Sequence, residues 1–512
     1  MLDLQKKLDA PTLLLLGGIV FWVALYAFIG PQSLGGDGFH FKDPGINFAI
    51  GKGLTEVGTP GNPSLEYRYY ANYPPVYPFF YGLYVSLFGI GDYQSTYFNL
   101  FLQIARAVLI FIIVVKYATD WTQSQKLVIV SVLVLFLPAA NSYDRPEDLV
   151  IVLFLLSLLF YLRKQHEIAF LVAGLNLMTS PVCGLISAVI LIGIYFYDVF
   201  KEKVDWKGFV EKSYPVFYAM IFPIIIITIL AFLDLSIFER FYDYVKYMSV
   251  KGRPKGIEYI RSALSIGLFY GIVPFLSFVI VTLLGLLVSF LVYRVSEKRL
   301  ALFIFVVVVL TLFLNLQGRA HYYEVFTVLG LTVGIYVMMK DAENVRDIGK
   351  RVFWICLGLI LLMTFPRTAR DIYVRAVLMS AEKYKNAREQ VQNFLKDKND
   401  EFILTHPQFY YMAKSVKRKV TITELFSADE PNIPKYIIGD PTKKDSIITL
   451  SPNPKIYTPK VEKTYLYRKV FETEKSVPNP QNTFWERLLM RPHETWYPVI
   501  YERIDEQQTH IP

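Results

Sequence analysis

From Leu13 to Met363 the chain returns again and again to apolar runs of bilayer-spanning or near-spanning length. Such runs admit few folds, because backbone polar groups in lipid must be satisfied within helices or a closed barrel. The runs are continuous rather than alternating, so they predict helices. We read spans at Leu13–Phe28, Tyr97–Val115, Leu127–Leu137, Leu149–Leu162, Ile168–Met178 and Gly184–Tyr197. Five more follow at Tyr214–Phe232, Ile266–Val292, Leu300–Leu316, Val325–Met338 and Val352–Met363, about eleven in all. With 54% of 512 residues hydrophobic, the composition excludes an ordinary soluble domain. The expected fold is a polytopic α-helical membrane module, residues 1–366, followed by a small C-terminal α/β domain, residues 367–512.

Charge sets the expected orientation. Tyr77–Phe88 is apolar but short, and Pro74, Pro75 and Pro78 crowd its start, which suits an interfacial segment. If it does not cross, the basic connections fall on one side, Lys116 and Lys126; Arg163 and Lys164; Lys201 to Lys212; Arg294 to Arg299; Lys340 to Arg351, and only the long loop Asp234–Ser262 breaks the trend. The opposite short loops keep only Arg145 and Arg319. The positive-inside rule then places residues 31–96 and the C-terminal domain on the extracytoplasmic side of the cytoplasmic membrane. The net charge of +9 is explained by these loops and gives no reason to expect a nucleic-acid partner. Cys183 and Cys356 lie in or beside apolar runs and suggest neither a disulfide nor a metal. In the tail, Asp371–Leu395 reads as an amphipathic helix. Phe402–Thr405, Tyr436–Ile438, Ile447–Leu450 and Tyr465–Phe471 read as strands, with a helix at Pro407–Lys417.

Four polar clusters fall on the expected outer face. They are Asp37, His40 and Asp43; the run from Asn141 to Asp148; the basic, tyrosine-rich loop around Arg253 and Lys255; and Gln317 to Glu324. Carboxylates offer a base and arginines offer bidentate phosphate recognition. Each cluster also reads as solvated loop charge, and the basic loop equally as an aromatic-anchored interfacial helix. Asp43, before Pro44, reads as a cap or turn residue, and Glu147 and Asp148 as caps of the helix starting at Leu149. Phosphate-loop and dinucleotide fingerprints are absent.

Three stretches carry a family resemblance. They are Asp37 with Phe39-His40 and Gly51-Lys-Gly-Leu54; Tyr73-Pro-Pro-Val-Tyr-Pro78 leading to Leu87-Phe-Gly89; and Arg145-Pro-Glu147 with Met178-Thr-Ser-Pro181. His321-Tyr-Tyr323 adds a weaker one. Over roughly Met1–Pro366 the chain resembles the GT-C superfamily of lipid-phosphate-sugar-dependent glycosyltransferases, near bacterial relatives of protein O-mannosyltransferases and aminoarabinose transferases. It departs where many relatives have Asp-Glu, since Gly38 follows Asp37, and where Ser180 replaces a lysine.

The resemblance implies an inverting transferase, hexosyl or pentosyl, that moves a sugar from a polyprenyl-phosphate donor to a glycan, lipid or protein acceptor. Asp37 would be the general base and Asp43 a second acid. Arg145, Arg319, His321, Arg253 and Lys255 would contact the donor phosphate; His40, Tyr73 and Glu147 would contact sugar or acceptor. The need for a divalent metal stays open. The competing readings are a transporter or lipid flippase, and a non-catalytic subunit of an envelope-glycan assembly. Span interiors nearly free of ionisable residues favour the enzyme over the transporter.

Overall fold

The computed structural model describes residues 9–28, 31, 36–56, 68–70, 73–136, 145–180, 182–202, 205–242, 272–294, 298, 302, 304–306, 308–309, 320–340, 347–373, 381–398, 402–405, 409–414, 420–422, 433–439, 447–450, 465–473 and 498–504. The helices in chain order are α1 (Ala10–Phe28), α2 (Gly36–Ala49), α3 (Val76–Phe88), α4 (Gln94–Tyr117), α5 (Gln123–Phe136), α6 (Glu147–Leu162), α7 (His166–Leu177) and α8 (Cys183–Lys201). They continue with α9 (Trp206–Ser213), a 3₁₀ turn (Tyr214–Met220), α10 (Ile221–Leu233), α11 (Ile272–Arg294), α12 (Ala320–Lys340) and α13 (Asp347–Tyr373). The tail carries α14 (Ala381–Lys396) and α15 (Tyr410–Lys414).

Over their described residues, ten of the eleven expected spans coincide with helical segments; 137, 266–271 and most of the Leu300–Leu316 span lie outside the described residues. Among the described residues, four helical stretches are long and apolar enough to cross a membrane: Ala10–Phe28, Gln94–Tyr117, Cys183–Lys201 and Trp206–Leu233. His166–Leu177 and Val325–Lys340 are apolar but shorter. On α10, Ile224 is 58% and Ile229 52% exposed. Contiguous exposed isoleucines are costly in water and ordinary against lipid. These are the marks of a polytopic membrane protein. In contrast, α6 is buried on nearly every side, so it stands in the middle of the bundle.

The stretch between the first two expected spans is helical over much of its length, as expected of a loop with juxtamembrane helices. It folds into two packed helices, α2 and α3, with a short antiparallel pairing, β1 (Thr55–Glu56) with β2 (Arg68–Tyr69). Helix α3 has 13 residues, about 20 Å at 1.5 Å rise, too short for a hydrocarbon core of about 30 Å. It buries Val76, Tyr77, Tyr81 and Val85 on one face and leaves Leu87 and Phe88 exposed. The two helices touch at glycines. A Cβ on Gly45 would lie 2.6 Å from the Pro78 carbonyl oxygen and 2.9 Å from the Gly82 nitrogen, so only glycine permits this approach.

The tail forms one six-stranded sheet, ordered β4 (Val420–Ile422), β3 (Ile403–Thr405), β5 (Tyr436–Gly439), β8 (Val499–Arg503), β7 (Tyr465–Glu472), β6 (Ile447–Leu450). Strand β3 runs parallel to both neighbours; the remaining pairings are antiparallel. The expected strands are present, β4 and β8 are additional, and the expected Pro407–Lys417 helix is seen as α15, with 407–408 and 415–417 outside the described residues. The expected Asp371–Leu395 helix is helical over its described residues, 371–373 at the end of α13 and 381–395 in α14, and residues 374–380 lie outside the described residues. Tyr384, Ala387, Val391 and Leu395 make a buried stripe at helical spacing on α14. That stripe shares one core with Ile403 and Ile438 of the sheet, Phe41 and Ile46 of α2, Tyr77 and Tyr81 of α3, and Leu149 of α6. The tail and the α2–α3 pair therefore sit at the same end of the helical bundle.

Candidate functional site

Helix α2 is an unlikely helix by local preference. Pro44 lies inside it, so one backbone hydrogen bond to residue 40 is missing and the ring crowds that carbonyl. Tertiary packing compensates. Phe41, 1% exposed, lies against Tyr73 at 4.7 Å between ring centroids and edge-on to Tyr77 at 5.9 Å. Lys42 is fully buried; its ammonium hydrogen-bonds the Ser95 hydroxyl on α4 and lies 5.3 Å from the Tyr81 ring. Lys42 thus ties α2 to α4.

The Arg145 guanidinium stands over the other side of this contact, 5.5 Å from the Phe41 ring. Its Nε donates to both carboxylate oxygens of Glu147 at 3.2 Å. Arg106 of α4 pairs with Asp148 at 3.6 Å. Glu147 and Asp148 open α6, but Pro146 is the N-cap residue and no side chain caps the helix. The capping expected from sequence is therefore replaced by arginine pairing, with both acids still placed where the helix dipole favours negative charge. The Val76 amide, which opens α3, donates to the Met178 carbonyl at 3.2 Å. The Tyr-Pro-Pro stretch and the Met178–Ser180 turn thus meet beside Arg145.

Asp43 faces another direction. It is 3% exposed; its Oδ1 accepts from the Tyr410 hydroxyl at 2.5 Å and its Oδ2 from Asn47 Nδ2 at 3.1 Å. Asn47 also donates to the Thr55 carbonyl at 2.8 Å. Burial pushes the Asp43 carboxyl above its ordinary range, opposed by Lys414 and by the two hydrogen bonds. The cap or turn reading of Asp43 does not hold, because the residue lies inside α2 and bonds across the chain. Asp92, between α3 and α4, is likewise 3% exposed. It pairs with Arg388 at 2.5 Å, and burial raises its carboxyl against the lowering influence of Arg388 and Tyr384.

Of the residues singled out from sequence, the structure brings Arg145, Glu147 and Tyr73 together around Phe41 and sets Asp43 under the tail. Asp37 and His40 lie in the first turns of α2, and His321 at the start of α12; their side chains are outside the described residues. Arg253, Lys255 and Arg319 lie outside them altogether. Sequence reasoning missed Phe41, Arg106, Asp92 and Tyr410. Among these only Arg106 gave a signal, as a cation inside an apolar run. Among the described residues no group of three or more His, Cys, Asp or Glu gathers to hold a metal.

No family model matches the chain, and no curated protein matches it. Among solved structures, the apo form of the Archaeoglobus fulgidus oligosaccharyltransferase aligns over 85% of this chain and 70% of its own, at 11% identity and TM-score 0.48. The same enzyme in complex with Zn and sulfate aligns over 83% and 67%, at 12% identity and TM-score 0.43. Likeness this distant carries nothing about chemistry.

Proposed function

We infer that the chain is a membrane glycosyltransferase that moves a sugar from a polyprenyl-phosphate donor to an acceptor hydroxyl or amine on the extracytoplasmic face. The observation that supports this is the seating of α2. Phe41, one helical turn beyond Asp37, is held between Tyr73 and the Arg145–Glu147 pair at the mouth of α6. A carboxylate-bearing helix thus stands beside a guanidinium at the end of membrane helices, the pairing that base-assisted displacement of a phosphate requires.

In the reaction, Asp37 accepts the acceptor's proton as the acceptor atom attacks the anomeric carbon. The bond between that carbon and the phosphate oxygen breaks, and polyprenyl phosphate leaves with the electron pair. The new glycosidic bond has inverted configuration. A positioned base supplies about 10²–10⁴ in rate. The remainder comes from alignment of donor and acceptor and from cationic groups at the departing phosphate. Arg145 is assigned to that phosphate, with Arg319, His321, Arg253 and Lys255 as further contacts, and His40, Tyr73 and Glu147 to the sugar or acceptor.

The test is transfer by the purified protein in nanodiscs, using synthetic polyprenyl-phosphate sugars, with release of polyprenyl phosphate measured by mass spectrometry. Release by the wild type and its loss in Asp37→Asn are expected. Undiminished turnover by Asp37→Asn removes Asp37 from the mechanism, and no turnover with any polyprenyl-phosphate hexose or pentose overturns the reading.

A further inference from the structure

The C-terminal domain meets the α2–α3 pair through two buried carboxylates, both on the membrane-side partner. Tyr410 reaches Asp43 inside α2, and Arg388 reaches Asp92 in the turn after α3. Tyr384 packs edge-on against Tyr93 beside Asp92, with centroids 6.0 Å apart. Around these polar contacts, Phe409, Tyr410 and Met412 are fully buried in the core they share with Phe41, Tyr77 and Tyr81. Helices α2 and α3 are in backbone contact at Gly45 and Gly82, so neither can shift without the other. The two ties grip this unit at separate points, one within α2 and one past the end of α3.

We propose that the C-terminal domain is a clamp that fixes the position of α2 in the site, with Tyr410 and Arg388 as its positioning residues. This rests on the reading of α2 as the helix that carries the catalytic base. Helix α2 has 14 residues and an internal proline, too little to hold its own geometry. A carboxylate misplaced by about 1 Å loses on the order of 10²-fold in rate. Two contacts from a folded domain supply the missing constraint. Neither touches substrate; both act through α2 and α3 on the residues that do.

The experiment uses the full chain in nanodiscs, with Tyr410→Phe, Arg388→Met and Arg388→Lys compared with wild type. Two quantities are read: hydrogen–deuterium exchange of peptides covering 36–49, and steady-state transfer from a polyprenyl-phosphate sugar. Expected are faster exchange in 36–49 for Tyr410→Phe and Arg388→Met, and kcat about tenfold lower, with donor KM within about twofold of wild type. Arg388→Lys keeps the charge and restores most of kcat; kcat is taken per folded protein, and a merely destabilised fold would raise exchange throughout the chain rather than in 36–49. Unchanged exchange in 36–49 in both Tyr410→Phe and Arg388→Met overturns the clamp, whatever the activity. Should the wild type transfer no sugar, the enzyme reading fails, while exchange in 36–49 still decides whether the tail holds α2. The tyrosine change removes a single oxygen, so it preserves folding if Arg388→Met does not.

Discussion

The Tyr410 hydroxyl donates to the Asp43 carboxylate at 2.5 Å, joining groups 367 residues apart in the chain. Burial makes this contact depend on pH. The Asp43 carboxyl lies above its ordinary 3.8 in the folded protein, so the folded state binds the proton more tightly than the unfolded state. Stability contributed here is complete below 3.8 and declines as pH rises from 3.8 through the raised folded value. Asp92 shifts in the same direction and adds to the decline. Asp43→Asn removes the titration and keeps an acceptor for Tyr410. Its melting temperature, followed by intrinsic fluorescence in detergent, is expected to exceed that of wild type at pH 7, with the gap closing as pH falls toward 4. A gap independent of pH would show that Asp43 does not titrate with an upward shift.

Gly45 tests whether α2 and α3 form one unit. A methyl group there would collide with the Pro78 carbonyl and the Gly82 nitrogen, both backbone and unable to swing away. Gly45→Ala is expected to cost about 1–3 kcal/mol through overpacking. The measurement is denaturant-dependent accessibility of Tyr-rich peptides from 76–88, which should become exposed earlier than peptides from α6. Gly17→Ala meets no atom within 4 Å and should leave the profile unchanged.

The opposite end of the bundle has its own tie. Tyr336 of α12 donates to Asp198 of α8 at 2.7 Å, and Tyr161 of α6 donates to the same oxygen. Hydrogen bonds to a charged acceptor contribute about 1.5–3 kcal/mol each. Tyr336→Phe is expected to lower thermal stability by an amount in that range while transfer activity at permissive temperature stays within about twofold. An equal fall in activity would mean that this end of the bundle communicates with the site.

Much of this architecture was legible in the sequence because hydrophobicity is local. Apolar runs such as Tyr97–Val115 and Gly184–Tyr197 reappear as α4 and α8, lengthened by polar ends that hydropathy cannot assign. The Tyr77–Phe88 segment reappears as a short one-sided helix. Local preference failed where tertiary contacts override it. Glycines and Pro44 argue for loop in residues 36–49, yet close packing at Gly45 and the burial of Lys42 and Phe41 hold a helix. Strand β8 was missed because its apolar run, Val499 to Tyr501, is short and its partners β5 and β7 are distant in the chain. Of the site, Arg145 and Glu147 were legible because two opposite charges open an apolar run. The grip of Tyr410 on Asp43 was not, because one tyrosine among 36 carries no mark of its partner.

Arg145 is the sharpest probe of the site. Its Nε engages both Glu147 oxygens while its plane lies over Phe41, two tasks that need a planar fork rather than a point charge. Arg145→Lys keeps the charge, loses the stacking and the shared Nε contact, and moves the cation. Turnover is expected to fall about 10–100-fold, by loss of charge stabilisation at the departing phosphate. Glu147→Gln keeps an acceptor for Nε and frees Arg145 from its counter-charge; donor KM is expected to fall or hold while kcat declines less than in Arg145→Lys. Transfer kinetics over a range of donor concentrations separate these outcomes. If Arg145→Lys turned over like wild type, the departing phosphate would have to be met by Arg319, His321, Arg253 or Lys255 instead.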